Sequence, residues 1–294
     1  MNSNSHTLSA LSITLLLALV TSSCASSNDI VSPPESWVIT VEDEFDGEEG
    51  TPPDPAIWTY DIGGDGWGNE QLEFNTDRPE NVSHDGQGHL RIVALKEFYK
   101  GNEYTSARIK TQVRRCEDDN DIECGFEQEQ GRFEARMKLP LGAGLWPAFW
   151  LLGANIDEVP WPGCGEIDVM EYQGQRPGRV FGTLHGPGYS AGESISGEIS
   201  LPEGETFADD FHVFAIEWDP GRITFSMDGE VYHIVRSADV RNADVPDPKW
   251  VFNNEFFIIM NLAVGGTLGG SVRPDTVFPA EVIVDYVRIY ERAE

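Results

Sequence analysis

This 294-residue chain predicts an all-β fold, a sandwich or jelly roll of antiparallel strands. Three observations lead there: a strand-period alternation, a hairpin signature, and the lack of any long amphipathic helical stretch with caps. In "RFEARMKL", Phe133, Ala135, Met137 and Leu139 alternate with Glu134, Arg136 and Lys138. Side chains two apart on a strand share a face, so the run reads as a half-buried strand with its charges outward. "FHVFAIEW" reads as a further strand, apolar on both faces in part and therefore interior. "RITFSMDGEVYHIV" joins two β-rich runs around Asp228-Gly229, a dipeptide suited to a tight hairpin. "SADVRNADV" allows one short turn of helix, and "EFFIIMNLAV" and "VIVDYVRIY" close the chain as interior strands. No repeat interrupts the pattern, and a single all-β domain commonly reaches this length.

The N-terminus is organised differently. "LSALSITLLLALV" has the length of a signal-peptide core and is too short to span a bilayer comfortably. It ends in "TSSC", which resembles a lipoprotein cleavage box, although the preceding "MNSNSHT" carries no Lys or Arg. Residues 1–24 are therefore expected to be a signal peptide, 25–35 a Ser/Pro-containing linker, and 36–294 the folded domain. Export to the cell envelope or beyond follows. Cys24 is either the site of a lipid anchor to a membrane or an ordinary residue near a signal-peptidase site. In an exported protein, Cys116 and Cys124, which bracket a polar loop, suit a short disulfide. Cys164 is left over and is expected as a buried free thiol beside the site. No Cys/His metal spacing is present.

The formal net charge is −30. Residues 1–28 carry no charged side chain, so the whole imbalance belongs to the expected mature chain. Such a surface repels nucleic acid and anionic membranes, which excludes nucleic acid as a partner class. An acid-rich, Lys-poor composition also suits a saline habitat.

"GEIDVMEY" places Glu166, Asp168 and Glu171 within six positions. On a regular strand Glu166 and Asp168 share a face and Glu171 opposes them. One extra residue, a β-bulge near Val169–Met170, restores the parity and puts all three on one side. Glu166 and Glu171 then stand like positions i and i+4, with Cα atoms roughly 13 Å apart. Side chains leaning together leave the carboxyls about 5–6 Å apart, the separation at which retaining glycosidases use one as nucleophile and one as acid/base. Three carboxylates on one face raise one another's pKa, so the nucleophile can be ionised while the acid keeps its proton. Taken on spacing alone, a solvated acidic face is the better account of the run, because this chain is acid-rich and acids on a strand usually face water.

The wider context decides between them. "GEIDVMEY" resembles the active-site strand of glycoside hydrolase family 16 in its bulged ExDxxE form. "DEFDG", "GWGNEQLEFNT", "GRFEARMKLPLGAGLWPAFWLLG", "WPGCGEID", "GTLHGPGYSAG", "FHVFAIEWDPGRITFSMDG", "NLAVGG" and "FPAEVIVDYVRIY" resemble the same family in the same order. The resemblance implies a β-jelly roll of two curved antiparallel sheets with a glycan-binding cleft on the concave face. It also implies retaining hydrolysis within β-glucan chains. Glu166 would be the nucleophile, Asp168 its helper and Glu171 the general acid/base, with no cofactor for catalysis. "LWPAFW" and "HGPGYS" look most like the laminarinases, endo-β-1,3-glucanases acting on a β-glucan polysaccharide. The rivals are mixed-linkage glucanases, other neutral β-glycan hydrolases or transglycosylases of the family, and a non-catalytic glucan-binding protein. A monomer is expected.

Trp146, Trp150 and Trp161 are candidate sugar platforms, because pyranose rings offer apolar faces to aromatic planes. Core packing is the alternative for each. The resemblance adds His185, as a partner of Glu171 or of a sugar hydroxyl, and Asn69 and Arg108 as contacts to glucose hydroxyls. Glu70 is a weaker rim candidate. It further implies a structural calcium, away from the cleft, at Glu44, the Gly88 carbonyl and Asp285, where oxygen ligands suit the ion. Salt bridges or loop capping are the alternative reading of those positions.

Overall fold

Period-two patterning becomes two large antiparallel sheets in the computed structural model, which describes Met1 and residues 37–116, 122–241 and 248–293. The expected signal peptide, Cys24 and the 25–35 linker lie outside the described residues. From residue 37 onward, the described residues form one compact unit. Among the described residues, no helix is long and apolar enough to cross a membrane.

One sheet has eight strands. Its order runs Glu230–Arg236, Arg222–Met227, His212–Asp219, Gly131–Lys138, Ala280–Arg292, Leu90–Ala94, Val82–His84, with Trp37–Asp43 also paired to Ala280–Arg292. The seven-stranded sheet runs Ile195–Ser200, Arg179–His185, Glu166–Tyr172, Leu145–Gly153, Phe256–Val264, Arg108–Lys110, Thr59–Tyr60. Sequence neighbours lie in different sheets at several points, as a jelly roll requires. Between the sheets lies one apolar core that includes Phe133, Met137, Phe149, Met170, Tyr172, Phe225 and Met260. Phe256–Val264 is buried along its whole length, in keeping with its unbroken apolar run.

The hairpin forms at Asp228 and Gly229, both at positive φ (49° and 81°), the conformation that a two-residue turn with right-handed strand twist demands. The short helix is Ser237–Arg241, the remainder of "SADVRNADV" lying outside the described residues. Gly131–Lys138 departs from simple alternation because Glu134 is buried. This strand is flanked on both sides, by His212–Asp219 and Ala280–Arg292. The Glu134 carboxylate accepts from Arg132 Nε at 2.8 Å and the Tyr290 hydroxyl at 2.9 Å. Burial of an acid is tolerable when it is paired and hydrogen-bonded in this way. Cys116 and Cys124 form a disulfide that ties Arg114–Arg115 to Glu123–Cys124.

Candidate active site

Gly165 immediately precedes the strand Glu166–Tyr172, third in the order of the seven-stranded sheet. It sits at φ +85°, and a Cβ there would lie 2.9 Å from Phe256, so both backbone and packing call for glycine. In the strand Glu166–Tyr172, the register against Arg179–His185 pairs Glu166 with His185, Asp168 with Thr183 and Glu171 with Phe181. Three steps on one strand match two on the other, which is the bulge. Against Leu145–Gly153, Asp168 pairs with Trp150 and Met170 with Phe149, shifted at the same place. Val169 and Met170 are both buried in the core with Ile167 and Tyr172, and the three carboxylates are left on the opposite face.

Leu145–Gly153 pairs residue for residue with Phe256–Val264, so Trp146 and Trp150 share one face. Trp146 Nε1 donates to Glu171 Oε1 at 3.1 Å. Trp161, 42% exposed, donates from Nε1 to Glu166 Oε2 at 2.8 Å. Glu166 and Glu171 are thus each held by one indole N–H. Trp150 Nε1 donates instead to Asn261 Oδ1 at 2.8 Å.

His185 Nε2 lies 3.2 Å from Asp168 Oδ2 and 3.7 Å from Glu166 Oε1. The expected partner Glu171 is replaced by these two, because His185 stands opposite Glu166 in the register, at the other end of the strand from Glu171. Donor atoms of Glu166, Asp168 and His185 lie within 4.8 Å of one another, close enough for a metal ion. The histidine argues otherwise. Its Nδ1 accepts the Ala191 N–H at 3.1 Å, so the neutral ring carries its proton on Nε2, facing the carboxylates. That nitrogen faces the carboxylates with a proton and not a lone pair, while Asp168 Oδ2 has no hydrogen-bond partner among the described residues.

Burial pushes the Glu166 carboxyl up to about 8, the Asp168 charge adding to it while His185 and Trp161 oppose. Burial likewise lifts Asp168, and a hydrogen bond with Glu166 pulls it back. Glu171 is driven well above the usual carboxylate range by burial, then by the charges of Asp168 and Glu166. Once those two ionise, the remaining proton stays on Glu171. An ionisable pair beside a retained proton is what a nucleophile and a general acid require. The Asp168 side chain is 4% exposed and that of Glu166 18%, so Glu166 is the member within reach of a substrate.

Around this centre the sequence candidates divide. Arg108 lies with its Cζ 4.8 Å from the centroids of both Trp150 and Trp67. Asn69 accepts the Thr267 N–H through its carbonyl at 2.8 Å, and it borders Trp146 across Gly266. Glu70 is exposed at φ 57° on the same loop. Cys164 is a buried free thiol two residues before Glu166, and burial with the Glu166 charge pushes it up to about 11. Sequence reading passed over Trp67, Asp61, Asn261 and Glu73. Glu73 is fully buried, accepts the Val264 N–H at 2.8 Å, and is lifted by burial to about 7. Only "GWGNEQLEFNT" as a whole marked Trp67 and Glu73, and nothing local singled them out.

The calcium position is filled differently. Both Glu44 carboxylate oxygens accept from Arg288, at 2.6 and 2.8 Å. Asp285 Oδ2 accepts from Arg136 at 2.5 Å, with His89 Nε2 3.8 Å from Oδ1. The Glu44 carboxylate is thus paired with Arg288, and the salt-bridge alternative describes these side chains.

Two carboxylates on the open face of a jelly-roll sheet, each bound to a cleft tryptophan, define a glycoside hydrolase. The chain belongs to the glycosyl hydrolases family 16, whose model matches residues 81–265. It is 40% identical over 263 residues to a beta-glucanase of Rhodothermus marinus, covering 88% of this chain and 86% of that protein. Among solved structures, the endo-beta-1,3-glucanase from Pyrococcus furiosus superposes with a TM-score of 0.78 at 42% identity, covering 88% of this chain and 95% of that one. The laminarinase catalytic domain from Thermotoga maritima gives 0.78 at 41% identity, covering 88% and 100%. Hydrolysis in this family needs no catalytic cofactor.

Proposed function

We propose that this enzyme cuts β-1,3-glucosidic bonds inside laminarin-type β-glucan chains with retention of configuration. The observation that carries the reading is the bulged strand, which puts Glu166 and Glu171 on one face with Trp161 and Trp146 as their respective donors. Glu166 attacks the anomeric carbon while Glu171 gives its proton to the departing sugar oxygen. Glu171, now charged, takes a proton from water, which releases the glycosyl-enzyme. Asp168 and His185 hold Glu166 in place and share its proton between carboxylates. Trp146, Trp150 and Trp161 offer ring faces to the glucosyl units, and Asn69 and Arg108 offer polar contacts to their hydroxyls. The names of the similar proteins, a beta-glucanase, an endo-beta-1,3-glucanase and a laminarinase, support the linkage.

The deciding experiment is product analysis of the mature chain on laminarin, with mixed-linkage β-glucan and agarose in parallel. Short β-1,3 oligosaccharides from laminarin are expected, and Glu166→Ala is expected to lower the rate at least about a thousandfold. Products from another glycan alone would keep the mechanism and overturn the linkage. Binding of laminarin without cleavage of any of the three would favour a glucan-binding role.

Export, with residues 1–24 as a signal peptide, 25–35 as a linker and a lipid on Cys24, belongs to the same proposal. The Cys116–Cys124 disulfide supports an oxidising compartment. The mass of the native N-terminus reads out lipidation directly. A monomer is the working state, and light scattering checks it. A structural calcium would have to rest on the Gly88 carbonyl and Asp285 Oδ1. A Tm that rises when calcium is added to chelator-treated protein supports it, and an unchanged Tm removes it.

A further inference from the structure

Asp61 follows the short strand Thr59–Tyr60 at the edge of the seven-stranded sheet. Its backbone N–H donates to the Arg108 carbonyl at 2.9 Å. Its carboxylate bridges two cations, Oδ2 accepting from Arg108 Nε at 2.9 Å and Oδ1 from Lys110 Nζ at 2.7 Å. Arg108 and Lys110 are two apart on the strand Arg108–Lys110, so both side chains rise from one face. The three side chains are 16%, 12% and 22% exposed, which removes most of the solvent screening that makes surface ion pairs weak.

The clamped guanidinium lies between two indoles, 4.8 Å from each. Trp150 belongs to the sheet and is pinned by Asn261, the residue that pairs with Arg108 in the register. Trp67 belongs to the loop that follows Asp61 and stands at φ 50°, a conformation that needs outside support. Arg108 therefore joins loop to sheet. Its one side-chain hydrogen bond among the described residues is made through Nε, and its Nη nitrogens bond no protein acceptor there. A planar cation stacked on aromatic faces with its outer edge unbonded is suited to hydroxyl oxygens.

We propose that Asp61 is a positioning residue for the hydrolysis: it clamps Arg108 in the Trp67–Trp150 slot so that both Nη groups meet hydroxyls of the sugar bound beside Glu166. The proposal rests on the β-glucan reading above for its substrate. Lys110 neutralises the second carboxylate oxygen and makes no contact of its own to sugar.

The test measures kcat and KM on laminarin for Asp61→Ala, Arg108→Ala, the double variant and Lys110→Ala, with Tm recorded for each. Asp61→Ala is expected to raise KM about tenfold, the factor that one charge-assisted hydrogen bond carries, with a smaller change in kcat. The double variant is expected to be no worse than Arg108→Ala, because the two residues act as one unit. Lys110→Ala, which leaves Asp61 Oδ1 without its cation but keeps the bond to Arg108 Nε, is expected to raise KM less than Asp61→Ala does. A folded Asp61→Ala with wild-type KM overturns the proposal, as do losses that multiply in the double variant. If Asp61→Ala does not fold, Asp61→Asn keeps an acceptor for Nε–H without the charge. A smaller rise in KM is then expected, and an unchanged KM is fatal. Wild type inactive on laminarin would refute the substrate reading instead, and the same variants would be compared on the glucan it does cut.

Discussion

Asp168 has Glu166 two residues before it on the same face and His185 Nε2 3.2 Å away. Its charge raises the carboxyls of both Glu166 and Glu171. On the proposed mechanism, activity is expected to rise with pH as Glu166 ionises and to fall as Glu171 loses its proton, which gives a bell. Asp168→Asn removes a negative charge from beside both groups, so both ionise more readily and both limbs should move to lower pH. The pH dependence of kcat/KM checks this, and limbs that stay in place would show that Asp168 acts by geometry alone. That the three acids share one face was legible from "GEIDVMEY" once a bulge was allowed. The partner of His185 was not, because the residue opposite it is set by strand register and not by any local pattern.

At the scale of the element, the bulge converts a strand that miscounts into one that works. Val169 and Met170 both enter the core, and Glu171 consequently joins Glu166 on the open face. Met170 is fully buried, so Met170→Ala leaves a cavity in the layer directly beneath the catalytic carboxylates. A loss of about 2–5 kcal/mol in urea unfolding is expected. A fall in kcat larger than the change in KM should accompany it, since the bulge places the reacting groups. An unaltered unfolding midpoint would mean that the bulge does not depend on this packing. The alternation of Gly131–Lys138 correctly announced a strand but placed Glu134 outside. Sequence period reports which face a residue takes, and neighbouring strands decide whether that face meets water.

For the whole molecule, 50 acidic residues face 20 Lys and Arg, so 30 acids have no cation to pair with one to one. Mutual repulsion among them opposes the folded state and is screened by salt, over about 10 Å at 0.1 M and about 3 Å at 1 M. Tm by circular dichroism should therefore climb between low salt and about 1 M NaCl. A Tm independent of salt would remove the link between this composition and a saline setting. Arginine is engaged with these acids throughout the fold, as with Arg288 on Glu44, Arg136 on Asp285 and Arg292 on Asp219. Two of those pairings, on Glu44 and on Asp285 Oδ2, use side chains suggested for calcium.

The sequence by itself determined the strand content, the acidic surface, the disulfide pair and the three carboxylates, since each depends on residue type and short-range spacing. The tertiary structure alone decided which charges meet. Asp61 and Arg108 are 47 positions apart, and Glu44 and Arg288 are 244 apart. It also buried Glu73 beside Val264 and fixed the tautomer of His185 through Ala191. Periodicity constrains only the face on which a side chain emerges. The partner it finds there is brought by a strand from elsewhere in the chain, and in a low-dielectric interior that partner governs its charge.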